Sequence, residues 1–112
     1  MPQVRLSITQ TEDGRYELDV SGEGFHQAED EEVDVRLMGK DAFSDDDRLP
    51  VFFPIAHVIG GGFGVSGLVK GKTLNEDWGG DEIYATAAVG RLGDFKSNTV
   101  RPPTSTAFNS EK

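Results

Sequence analysis

Val4-Arg5-Leu6-Ser7-Ile8-Thr9, then Thr11-Glu12-Asp13-Gly14, then Tyr16-Glu17-Leu18-Asp19-Val20: these three stretches decide the fold. Apolar and polar residues alternate strictly in the first and third, which is the period of a strand with one buried face. Asp13-Gly14 between them is a hairpin signal, because both residues tolerate the positive φ that a tight turn demands. The chain therefore opens with two antiparallel strands, and Val4, Leu6, Ile8, Leu18 and Val20 are expected in the core.

Working outward, Ser21-Gly22-Glu23-Gly24-Phe25 breaks the alternation, and His26 to Glu32 reads as a polar, acidic loop. Val33, Val35 and Leu37 alternate with Asp34 and Arg36 in a third strand. Lys40 to Arg48 is a second acidic loop centred on Asp45-Asp46-Asp47. Val51 to Val58 is almost wholly apolar, and Pro54 inside it marks an edge strand or a bulge, since proline cannot donate to a central ladder. Past the turn Ile59-Gly60-Gly61-Gly62-Phe63-Gly64, the residues Phe63, Val65, Gly67 and Val69 share one face, with Leu68 opposite. Lys70 to Asp81 is a polar connection. Ile83 to Val89 and Phe95 to Arg101 supply the sixth and seventh strands.

About seven short strands separated by turn residues predict an all-β, two-sheet antiparallel sandwich over residues 1–101. Pro102-Pro103-Thr104-Ser105-Thr106 begins an extended C-terminal tail over 102–112. At 112 residues the chain has the size of one domain and can bury roughly two-thirds of its unfolded surface. It has no cysteine, so disulfides and thiolate metal sites are excluded.

A formal net charge of −9 disfavours nucleic acid and anionic membrane as partners and serves solubility. No stretch approaches a membrane span, and the start has no signal-peptide pattern, so synthesis and release inside a cell are expected.

Asp19-Val20-Ser21-Gly22-Glu23-Gly24-Phe25 resembles the V-x-G-x-G-F end of the second strand in IPT-like domains. Asp81-Glu82-Ile83-Tyr84 is similar to the start of the sixth strand in immunoglobulin-like domains, where a tyrosine makes a corner hydrogen bond. Ser97-Asn98-Thr99-Val100 looks like the final strand of such modules. Antibody-type domains place a cysteine two residues after the tyrosine, and this chain has Thr86.

The resemblance, to bacterial and phage immunoglobulin-like domains of the fibronectin type III and IPT-like group, implies an immunoglobulin-like sandwich. It also implies a non-enzymatic structural or interaction role. A phage decoration, tail or fibre component assembled in the host cytoplasm is the first expectation. A carbohydrate-binding or adhesion module, at a bacterial surface or secreted, is the alternative.

The chemistry-bearing residues agree with a chain that needs no cofactor. A hydrolytic triad needs a nucleophile oriented by histidine and carboxylate, and neither His26 nor His57 lies in such a motif. The acidic runs Glu29 to Glu32 and Asp45 to Asp47 lack the spacing of a calcium loop. Glu76, Asp77, Asp81 and Glu82 around Gly79-Gly80 are the nearest to a calcium cluster, with solvated loops as the plainer reading. The glycine-rich turn at Gly60 lacks the Lys-Ser/Thr and helix of a phosphate loop. Trp78 is a possible platform for a sugar ring or else a lid on the core. Phe52 and Phe53 are adjacent, so one of them faces solvent unless a protein subunit covers it. The expected interface comprises Phe52, Phe53, Pro54, Gly61, Phe63, Pro102, Pro103 and Phe108.

Overall fold

Period-two burial marks Gln3–Gln10, Arg15–Glu23, Glu32–Gly39 and Phe63–Lys70 of the computed structural model, which describes residues 1–11, 15–40, 47–70 and 82–101. The strands are β1 (Gln3–Gln10), β2 (Arg15–Glu23), β3 (Glu32–Gly39), β4 (Asp47–Phe52), β5 (Ala56–His57), β6 (Phe63–Lys70), β7 (Ile83–Val89) and β8 (Gly93–Lys96). They form two antiparallel sheets: one ordered β1-β2-β6, the other β4-β3-β7-β8, with β5 also paired to β3. Among the described residues the only helical pieces are single 3-10 turns at His26–Ala28 and Gly90–Leu92. The expected all-β fold of two antiparallel sheets is thus present, compatible with a sandwich of immunoglobulin type.

The opening hairpin pairs antiparallel, with Leu6 opposite Val20 and Ile8 opposite Leu18. Thr11 closes it: its N–H donates to the Arg15 carbonyl at 2.8 Å. Its hydroxyl also accepts from the Arg15 N–H at 3.2 Å. Glu12 to Gly14, where the turn signal fell, lie outside the described residues. Val4, Leu6, Leu18, Val20, Val33, Val35 and Leu37 are buried, and Ile8 is partly buried against them.

The motif Gly22-Glu23-Gly24-Phe25 is a packing device. A side chain at Gly22 would strike the ring of Phe63, and Gly24 takes φ +80° with the Met1 carbonyl against it. These two glycines let Phe25 turn inward, where it is fully buried. Its ring stacks edge-on to Phe95 with centroids 4.9 Å apart, and lies 5.7 Å from Phe63. One aromatic from the loop thus joins the two sheets.

Two strand readings are corrected. The apolar run from Val51 is split: β4 begins in the acidic stretch at Asp47, ends at Phe52, and pairing resumes only at Ala56. Phe52 faces Arg36 while Arg48 faces Met38, so β4 bulges against β3. Pro54, which has no N–H to offer, falls in the break.

The last strand is Gly93–Lys96 rather than Phe95 to Arg101. The Ser97 N–H still donates to the Ala85 carbonyl at 2.8 Å. Its hydroxyl, however, accepts the Ala85 N–H at 2.8 Å in place of a carbonyl, which ends the ladder. Val100 rejoins β7 at Ile83 as an isolated bridge.

Tyr84 is buried, as the resemblance implies, but it lies on the outer face of β7. Ile83, Ala85, Ala87 and Val89 point into the core, while Tyr84 is not among the core cluster. The Lys96 ammonium sits 5.5 Å from its ring centroid. In antibody-type domains the tyrosine and the buried cysteine share the inward face. Here Tyr84 and Thr86 share the outward one, so that part of the resemblance does not extend to this strand. Residues 71–81, where the hydroxyl partner was expected, lie outside the described residues.

Candidate interaction surface

β6 lies nearest β4 and β5, and β1 nearest β7 and β8. Among the described residues the sandwich therefore has two open sides, and the sequence treats them differently.

At the β1 side, Asn98 bridges the sheets. Its side-chain Oδ1 accepts the Leu6 N–H at 3.0 Å, and its Nδ2 donates to the Leu6 carbonyl at 3.2 Å. At the β6 side, the contacts are apolar. Phe53 is half-buried, and a side chain at Gly67 would meet its Cε1 at 3.3 Å and Val51 Cγ1 at 3.4 Å. Gly67 thus leaves the space that Phe53 fills.

The adjacent phenylalanines divide as their alternation requires. Phe53 packs on the core, and Phe52 stands 76% exposed. The Arg48 guanidinium lies 5.7 Å from the Phe52 ring centroid. Pro54 is exposed beside it. Ile55 at 53% and Ile59 at 75% exposure continue this apolar strip. Ile55 belongs to the apolar run noted in the sequence, and Ile59 opens the glycine-rich turn that follows it.

Two residues expected at the interface turn inward. Phe63 belongs to the core, and Gly61 is buried with the His26 ring against it. Only glycine fits at position 61, where φ is +80°. Pro102, Pro103 and Phe108 lie outside the described residues, as do Trp78, Glu76, Asp77 and Asp81. Glu82 is half-buried, with its carboxylate 4.0 Å from the Arg101 guanidinium.

The acidic loop after Phe25 is spent on structure. Glu29 accepts the Gly60 N–H at 2.7 Å and the Gly61 N–H at 2.9 Å, one on each carboxylate oxygen. These two backbone bonds hold its carboxyl below the usual range, with a smaller contribution from His26. Glu31 accepts the Arg91 N–H at 2.8 Å, and its other oxygen lies 3.2 Å from the Arg91 Nε. Among the described residues, no three His, Asp or Glu side chains gather as a metal site. His57 sits in the β5–β3 ladder opposite Glu32.

No protein-family model matches this chain, and neither a curated protein nor a solved structure does.

Proposed function

We propose that this chain is a non-enzymatic structural module that joins a larger protein assembly through the strip from Phe52 to Ile59. The observation that carries the reading is the exposure of Phe52, Ile55 and Ile59 in a run with no Asp, Glu, Lys or Arg. Large apolar side chains held open along a sheet edge lose free energy in water and regain it when a partner covers them. The Phe52 ring beside the Arg48 guanidinium supplies the mixture of aromatic and arginine typical of interface anchors.

A virion component, in phage a decoration, tail or fibre protein, is the assembly that best fits an all-β module with an exposed apolar strip. Fold analogy supports that step. The immunoglobulin-like subgroup named from the sequence belongs to the same proposal.

The test is density-gradient sedimentation of the native protein from the cells that make it. Co-migration with particles, lost on Phe52→Asp with Ile59→Asp, supports the reading. Migration only at the mass of one or two chains contradicts it.

A further inference from the structure

Among the described residues, two sheets present four lateral edges, and three of these carry a device against strand pairing. The β1 edge is gripped by Asn98 at Leu6. The β8 edge carries exposed Asp94 and Lys96. The β4 edge carries exposed Arg48 and stops just before Pro54. The β6 edge has neither charge nor proline from Phe63 to Val69. Alternate residues of an antiparallel strand turn their N–H and C=O away from the neighbour they pair with. Among the described residues β6 is the last strand of its sheet, beside β2, so those groups face outward.

We propose that β6 pairs antiparallel with β6 of a second copy, about a two-fold axis passing through Ser66. Two three-stranded sheets then fuse into one continuous sheet across the axis.

Shape supports this register. On the outer face Leu68 is 56% exposed, and a side chain at Gly64 would find nothing within 4 Å. The axis at Ser66 seats Leu68 of each copy over Gly64 of the other. On the inner face it sets Phe63 beside Val69 and Val65 beside Gly67, so both faces stay continuous.

Charge selects the direction. At one end of β6, Lys70 pairs with Arg15. At the other, Phe63 pairs with Gly22 next to exposed Glu23, and the Glu29 carboxylate sits on Gly60 and Gly61. Antiparallel pairing brings the basic end of one copy to the acidic end of the other, whereas parallel pairing sets like against like. A net charge of −9 opposes the approach of two copies at long range, and the uncharged strand is where they can meet. Such a two-fold contact is isologous and closed, so it makes a dimer rather than a fibre.

The inference rests on reading the chain as an assembly module, and it adds the partner: a second copy. It is tested on the purified full chain at physiological salt, by sedimentation equilibrium and by cysteine cross-linking. The absence of native cysteine makes each introduced thiol unambiguous. In the proposed register the two copies of position 66 lie roughly 4.5–5.5 Å apart between Cα atoms, within reach of a disulfide. Position 21, one strand inward, lies at least roughly 14 Å from its counterpart.

The expected results are a dimer, a Ser66→Cys disulfide with mild oxidation, and none for Ser21→Cys. Leu68→Lys should weaken association at least about tenfold while leaving the monomer folded by circular dichroism. A monomer at all concentrations overturns the inference, as does equal cross-linking at 66 and 21. A monomer that still sediments with particles removes the β6 contact alone. A dimer that never sediments with particles removes the virion reading alone.

Discussion

The side-chain amide of Asn98 holds the backbone of Leu6 at two points, accepting its N–H at 3.0 Å and donating to its carbonyl at 3.2 Å. One asparagine thus does for β1 what a neighbouring strand would do over a single residue. It also spans the two sheets, because Asn98 follows β8 while Leu6 belongs to the β1-β2-β6 sheet. The edge is satisfied, and the sandwich is fastened on that side.

Asn98→Ala should therefore destabilise the fold by about 1–2 kcal/mol, the net worth of two ordinary hydrogen bonds. Asn98→Asp should also destabilise, since a carboxylate cannot donate to the Leu6 carbonyl. Urea midpoints read both, and unchanged values would show that Asn98 is not a fastener.

Leu18 and Leu37 are fully buried on opposite sheets. Truncating either to alanine should cost ~2–5 kcal/mol in denaturant unfolding. Midpoints equal to wild type would contradict the register that places them inside.

Gly22→Ala drives a methyl into the Phe63 ring. Because Phe63 leans on Phe25, and Phe25 on Phe95, the ring cannot withdraw without disturbing the whole trio. A loss of about 1–3 kcal/mol is expected from overpacking. Gly64→Ala, on the open outer face of the same sheet, is the control and should change little when read on the monomer at dilution. Equal effects would show that the Phe63 ring does not define the site.

Glu29 predicts a pH dependence. Its carboxylate is stabilised in the folded chain by the Gly60 and Gly61 N–H groups, so its pKa is lowered on folding. Its contribution is complete above the ordinary pKa of 4.5 and is lost as pH falls through the lowered folded value. Glu29→Gln should thus be less stable than wild type near neutral pH, and the gap should narrow in acid. A gap that is constant from neutral to strongly acidic pH would contradict the carboxylate latch.

Most of the fold was legible because one-sided burial writes itself into alternation. Val4 to Ile8, Leu18 to Val20 and Val33 to Leu37 alternate without a break, and the strands follow. Pairing beyond the opening hairpin was not legible, since β2 joins β6 across intervening strands. β4 was misplaced because Asp47 and Arg48 look like loop residues, yet an edge strand tolerates them. Ser97 and Asn98 read as strand because nothing in sequence tells a side chain that replaces a ladder bond from one that decorates it.

The candidate surface was half legible. Adjacent Phe52 and Phe53 had to face opposite ways, whereas Phe63 follows the inward alternation of Val65 and belongs to the core. The acidic run Glu29 to Glu32 gave no local sign that Glu29 and Glu31 reach distant backbone.

Amide hydrogen exchange on the free protein and on the protein within its native particle tests the assembly role most directly. Slowed exchange in the particle across 51–59, with Leu18 and Leu37 unchanged, is the predicted result. Equal exchange of 51–59 in the two states would contradict it, because a covered apolar strip must shield the backbone that carries it.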